Sequence, residues 1–203
     1  MIATFVDYGA GNLRSLRAAF ERTGAEVAVT DRPEEIAAAP FVVIPGVGQA
    51  AAAMEGLRDR GLVDAIMGAV RGGAHLFGVC VGMQLLFARS EEGDTAGLGL
   101  LPGSATLLTG ARRLPHMGWN DVEPAVEHPL AAAFPAPCYF AHSYAVQDAA
   151  PRCVLASTPV ESGGFASLVG EGRVAGAQFH PERSGAAGAT FLRAVVEWAG
   201  DAA

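Results

Sequence analysis

Through the first half of the chain, short apolar runs alternate with segments of helical periodicity, and this alternation limits the possible folds more than any other feature. Ile2 to Asp7, Glu26 to Thr30, Phe41 to Ile44 and His75 to Val79 read as strands. Leu13 to Thr23, Ala50 to Arg58, Leu62 to Arg71 and Val81 to Ala88 read as helices. In the first of these helices Leu13, Leu16 and Phe20 share one face, and Gly24 ends it. A strand that is apolar along its whole length has to be covered on both faces, and crossover helices supply that cover. The predicted fold is therefore α/β, a mostly parallel central sheet with helices on both faces.

The second half changes character. Gly93 to Gly103 is glycine-rich and predicts a loop. Short strand-like runs follow at Thr106 to Leu108, Tyr139 to Phe140, Val154 to Ala156 and Val174 to Phe179, between Pro and Gly punctuators. They are expected to add strands of mixed orientation to the same sheet. A closing helix, Thr190 to Trp198, carries Phe191, Val195 and Trp198 on one face. With no internal repeat and no long linker, residues 1–203 are expected to form one domain.

Composition narrows the function. All 14 cations are arginine and the net charge is −7. A chain without lysine cannot hold the Gly-Lys pair of a phosphate-binding P-loop. An acidic chain without a basic run is a poor nucleic-acid binder. Mean hydropathy is +0.29, yet no apolar run is long enough to cross a membrane, and no signal peptide is visible. Three widely spaced cysteines, Cys80, Cys138 and Cys153, predict a reducing, cytoplasmic setting without disulfides.

The most informative stretch runs from Leu76 to Leu86. An apolar strand enters Gly78-Val79-Cys80-Val81-Gly82 and then passes directly into a helix. This is a nucleophile elbow with cysteine at its tip, where two glycines relieve a sharp turn. A thiol at a helix N-terminus gains thiolate character. Cys138 and Cys153 lack this context and read as spectators. A thiolate nucleophile needs a base and an orienting group. Of five histidines, His180 is best placed, in Gln178-Phe179-His180-Pro181-Glu182. Pro181 favours extended backbone at His180, so Glu182, two residues on, can reach one ring nitrogen and leave the other for Cys80. His75, His116 and His128 have no such partner. Acyl chemistry also needs an oxyanion hole. Val47 or Gly48 of Pro45-Gly46-Val47-Gly48, together with the N–H of Val81, are the candidate donors. Gly9-Ala10-Gly11 opens a helix but lacks the third glycine of a dinucleotide fingerprint. No His or Cys pair has zinc-ligand spacing, and neither metal nor cofactor is expected.

Cysteine elbow, upstream Pro-Gly-x-Gly and downstream His-x-Glu resemble the triad-type glutamine amidotransferases, which have a flavodoxin-like fold. Six motifs narrow the likeness. Asp7-Tyr8-Gly9-Ala10-Gly11-Asn12-Leu13, Ile44-Pro45-Gly46-Val47-Gly48, Gly78 to Leu86, Leu114-Pro115-His116-Met117-Gly118-Trp119-Asn120, Tyr139-Phe140-Ala141-His142-Ser143-Tyr144 and Gln178 to Ser184 resemble the glutaminase-subunit family of imidazole glycerol phosphate synthases, of histidine biosynthesis. The resemblance implies that Cys80 attacks the glutamine side-chain amide, His180 shuttles the proton and Glu182 orients His180. It implies that Gln84 and the backbone around His142, Ser143 and Tyr144 help hold glutamine, near Gly48. It also implies a (β/α)₈-barrel cyclase as heterodimer partner, which receives the ammonia, with Asn12, Trp119, Asn120 and Tyr144 at or near the interface.

The chain departs from the family pattern at Ala50, where an aromatic is usual, at Arg183, where lysine is usual, and across residues 158–164. Two other readings share these residues: the same glutaminase chemistry serving another synthase, or a non-catalytic interaction protein that keeps the elbow as structure. A cysteine peptidase on a similar elbow is disfavoured by the Glu182 pairing and Gln84.

Overall fold

A computed structural model of the protein describes residues 1–9, 13–133 and 137–200. The first half holds β1 (Ile2–Val6), α1 (Leu13–Glu21), β2 (Glu26–Thr30), α2 (Pro33–Ala37), β3 (Phe41–Ile44), α3 (Ala50–Asp59), α4 (Leu62–Arg71), β4 (His75–Val79) and α5 (Val81–Gln84). The second half adds β5 (Phe87–Ser90), β6 (Thr95–Ala96), β7 (Leu101–Leu107), β8 (His116–Asn120), β9 (Glu123–Pro124), β10 (Cys138–His142) and β11 (Tyr144–Val146). It closes with β12 (Val154–Pro159), β13 (Gly164–Glu171), β14 (Val174–Ala177) and α6 (Gly185–Gly200).

The central sheet has the strand order β2-β1-β3-β4-β14-β13-β12-β9. The first five strands pair in parallel and the last three are antiparallel extensions. Every residue of β3 and β4 is buried, which is why these strands read as unbroken apolar runs. Phe20 of α1 packs edge-on against Phe5 of β1, with centroids 5.1 Å apart. Phe191 of α6 packs against Phe77 of β4 at 5.9 Å and Phe179 at 5.0 Å. Each such ring, fully buried, contributes on the order of 1.5–3 kcal/mol.

Because β3, β4 and β14 are parallel neighbours, their carboxyl ends open on one edge of the sheet. Pro45-Gly46-Val47-Gly48 leaves β3 there, Cys80 leaves β4 and His180 follows β14. Three stretches far apart in sequence thus converge, at the end of the sheet where open α/β folds place their ligands.

Several sequence expectations are corrected. The helix expected over Val81 to Ala88 stops at Gln84, and Phe87–Ser90 is a strand. β5 pairs with β7 through Phe87 and Leu101, so long-range pairing overrides an apolar run that suits either state. The predicted loop Gly93 to Gly103 contains β6 and the start of β7. The added strands do not all join the main sheet. β11-β7-β5-β6 and β10-β8 form two smaller sheets, which carry the Thr106 and Tyr139 runs. The strand from Val174 ends at Ala177, and α6 begins at Gly185 rather than Thr190. α2 was not anticipated, although Pro33 at its start followed by Glu34 and Glu35 is a helix-initiating pattern.

Candidate active site

Cys80 occupies the turn between β4 and α5 with φ 52° and ψ −110°, a conformation that L-residues rarely adopt. Such backbone costs of order 1–3 kcal/mol and persists only where its surroundings enforce it. They do so by close backbone contact. A Cβ added at Gly78 would meet the Gly82 carbonyl, one at Gly82 the Ile44 carbonyl, and one at Gly46 the Gly82 amide. The Cys80 N–H donates to the Ala177 carbonyl of β14 at 2.7 Å, which ties the turn to the next strand. α5 is a single turn of four residues, so the helix-terminus argument weighs less than the sequence suggested. Side chains are what surround the sulfur.

His180 is fixed from both directions. Its N–H donates to the Tyr139 carbonyl at 2.8 Å, and its carbonyl accepts from Ser184 Oγ at 2.7 Å. Ser184 Oγ in turn accepts from the Tyr139 N–H at 2.9 Å. His180 Nδ1 lies 3.0 Å from Glu182 Oε1, and both side chains are almost wholly enclosed. Burial opposes a charge on the ring, but hydrogen bonds to Cys80 and Glu182, reinforced by their negative charge, outweigh it. The ring's pKa is pushed up to about 10.

A cavity of about 220 Å³ opens over these groups. Val47, Gly48, Cys80, Val81, Gln84, His142, Ser143, Tyr144 and His180, all expected at the site, line it together. Gly48 has φ +89°, and the Tyr8 hydroxyl donates to the Pro45 carbonyl at 2.6 Å, pinning the same loop. Gln84 Nε2 donates to the Tyr144 carbonyl at 2.8 Å, which also accepts from His142 Nδ1 at 2.9 Å. Burial, followed by the charge of His116, pushes the His142 pKa down to about 3.

The glutamine amidotransferase class-I family profile matches residues 4–197. The imidazole glycerol phosphate synthase subunit HisH of Symbiobacterium thermophilum is 45% identical over 196 residues, which cover 95% of this chain and 91% of that relative. HisH of Mycolicibacterium paratuberculosis is 46% identical, covering 95% of each chain. The chain belongs to the class-I glutamine amidotransferases, in the HisH family of imidazole glycerol phosphate synthase subunits. A solved glutamine amidotransferase shares the fold at 20% identity with a TM-score of 0.77, over 98% of this chain and 100% of that one. The PurLQS structure from Thermotoga maritima superposes with a TM-score of 0.74, again at 20% identity, over 97% and 98% of the two chains.

Three residues of this amidotransferase's site were given no site role by the sequence. Glu92 and Arg183 line the cavity, and Glu92 Oε2 accepts the Ala50 N–H at 2.7 Å, at the start of α3. Gln178, wholly buried, places Nε2 3.7 Å from Cys80 Sγ. Gln178 stands two residues before His180, the spacing that puts both on one side of an extended segment, and that was the available signal. Glu92 had none, because it arrives from another sheet.

The expected interface residues separate. Trp119 is 58% exposed, near a still more open Met117, and its ring centroid lies 6.1 Å from that of Tyr139 in an edge-on arrangement. Asn120 is committed to its own chain, with Nδ2 donating to the Pro159 carbonyl at 3.1 Å. Asn12 lies outside the described residues. Cys138 and Cys153 are buried, with burial pushing both thiols up to about 11. Among the described residues no helix is long and apolar enough to cross a membrane.

Proposed function

We propose that Cys80, His180 and Glu182 are the catalytic triad and that the cavity beside them takes glutamine. The chain is the glutaminase subunit of imidazole glycerol phosphate synthase, in histidine biosynthesis. The observation that carries the triad is the His180 ring, held by Glu182 at 3.0 Å on one nitrogen and lining the same cavity as Cys80.

The thiolate of Cys80 attacks the side-chain amide carbon. Charge moves to the amide oxygen, where the N–H groups of Val81 and of Val47 or Gly48 receive it. Protonated His180 gives its proton to the leaving nitrogen, and ammonia departs from a glutamyl thioester. His180, now neutral, accepts a proton from water as the water attacks the thioester. The carbon–sulfur bond breaks, glutamate leaves and the thiolate–imidazolium pair is restored. Glu182 keeps the imidazole oriented and stabilises its charge. The Glu92 carboxylate in the lining suits the ammonium group of an amino-acid substrate, and Arg183 suits its carboxylate.

Ammonia passes to a (β/α)₈-barrel cyclase, bound as a heterodimer in the cytoplasm. Trp119 and Met117, exposed and next to the Tyr139 and Arg183 rim of the site, supply apolar anchors of the kind that dominate interfaces. Residues 1–203 act as one amidotransferase domain. The test is Cys80→Ser in the assembled synthase. Glutamine-dependent synthesis should fall by about 10³-fold or more while ammonium-dependent synthesis persists. Loss of both with the complex intact refutes this division of labour.

A further inference from the structure

Gln178 takes no part in the triad, yet its side chain is fully enclosed and its amide points at the reacting atom. The orientation of that amide is determined by a chain of hydrogen bonds. The Tyr144 carbonyl can only accept, so the Gln84 atom 2.8 Å away is its nitrogen. An amide nitrogen can only donate, so the Gln178 atom 3.0 Å from it is the carbonyl oxygen, Oε1. The nitrogen of Gln178 is thereby left facing Cys80 Sγ at 3.7 Å. Flipping the amide would set two dipoles against each other at Gln84 and bring an oxygen lone pair onto the sulfur.

We propose that Gln178 is a positioning residue for the nucleophile, its Nε2–H holding the Cys80 sulfur in a hydrogen bond independent of His180. The proposal rests on the reading of Cys80 as the nucleophile. The two donors behave differently during turnover. His180 gives up its proton to the leaving nitrogen, whereas the Gln178 amide keeps its hydrogens throughout. It therefore favours the sulfur anion before attack and again when the thioester breaks and sulfur departs as thiolate. The backbone supports the same geometry, since the Cys80 N–H is bonded to the Ala177 carbonyl, one residue before Gln178. The Gln178 N–H is itself anchored on the Ser167 carbonyl of β13 at 2.9 Å. Gln178 is thus a rigid arm from β14, held by β13 behind and Gln84 beside it.

The test uses the full chain with Gln178→Glu and Gln178→Met. The first keeps an acceptor for Gln84 but sets an oxygen against the sulfur. The second keeps length and removes the donor. Alkylation of Cys80 by iodoacetamide is followed across pH by peptide mass, which separates it from Cys138 and Cys153. The other titratable and charged groups around the sulfur, His180 with Glu182 behind it, Tyr8 from the loop after β1, and Glu92, His142 and Arg183 in the cavity lining, are unchanged in both variants.

A hydrogen bond to a charged group is lost in both variants, so the inflection should rise by about one to two pH units in Gln178→Met and by a larger step in Gln178→Glu, where an oxygen faces the sulfur. In complex with the partner, kcat should fall about tenfold or more, with KM within about threefold. A folded Gln178→Met whose alkylation profile matches the wild type overturns the proposal, even if Gln178→Glu shifts, because charge and not the lost donor would then be the cause. If Gln178→Glu does not fold, Gln178→Met alone decides. A wild-type complex that fails to hydrolyse glutamine refutes the glutaminase reading itself. An active wild type with unmoved variants refutes only the role of Gln178.

Discussion

Glu182 Oε1 lies 3.0 Å from His180 Nδ1, while Glu182 Oε2 is buried without a partner among the described residues. An enclosed carboxylate with half its accepting capacity unused is costly unless a charge faces it, and the raised His180 pKa supplies that charge. Glu182→Gln preserves shape but presents an amide to the ring. In the assembled synthase, kcat for glutamine hydrolysis should drop by about 10²–10⁴-fold with little change in KM. Steady-state kinetics would check this, and a kcat within a few-fold of wild type would remove Glu182 from the triad.

The strained backbone at Cys80 predicts a trade between stability and function. Glycine accepts φ 52° without steric cost, so Cys80→Gly should abolish glutaminase activity and raise stability by about 1 kcal/mol. For a chain of this length that corresponds to about 2–4 °C in Tm by calorimetry. An unchanged or lower Tm would show that the conformation is not strained.

Gly82→Ala should act in the opposite sense. The added methyl group lands on the Ile44 carbonyl, which is held in the β3 ladder and cannot move aside cheaply. A loss of about 1–3 kcal/mol is expected in urea unfolding, together with loss of activity as the elbow shifts relative to the Gly46 loop. Wild-type stability in Gly82→Ala would contradict the close packing of the two turns.

Acid should destabilise the protein through His142. Its folded pKa is near 3 against an ordinary 6.5. Between those values the unfolded chain holds a proton on this ring and the folded chain does not, so stability falls as pH falls. The slope from this residue is at most about 1.4 kcal/mol per pH unit, and it vanishes above 6.5. His75, His116 and His128 are lowered too and add in the same direction. Thermal unfolding from pH 7 to pH 4 should show a shallower decline in His142→Phe than in wild type. Parallel curves would rule out His142 as a source of acid sensitivity.

Trp119→Ala separates surface from core. With the ring 58% exposed, the isolated chain should lose no more than about 0.5 kcal/mol of stability. Affinity for the cyclase should weaken by about 2 kcal/mol or more, measured by titration calorimetry. An unaltered dissociation constant would place the partner elsewhere.

Much of the site was legible because it is local. The Gly78-Val79-Cys80-Val81-Gly82 turn carries its own steric logic, and the His180–Glu182 pairing follows from two-residue spacing in extended chain. The parallel strands were legible because full burial leaves an unbroken apolar signature, as in Phe41–Ile44 and His75–Val79. Phe87–Ser90 was misread because its residues suit helix or strand equally, and its partner strand begins at Leu101.

The sequence by itself determined the sheet's first five strands, the elbow and the His180–Glu182 pairing, since each depends on residues a few positions apart. Tertiary structure decided what surrounds them. It divided the later strands among three sheets, committed Asn120 to Pro159, and brought Glu92 to the cavity and the Gln178 amide to the Cys80 sulfur. Those arrangements depend on pairing and hydrogen bonding across tens of residues, for which neither periodicity nor local spacing leaves a mark.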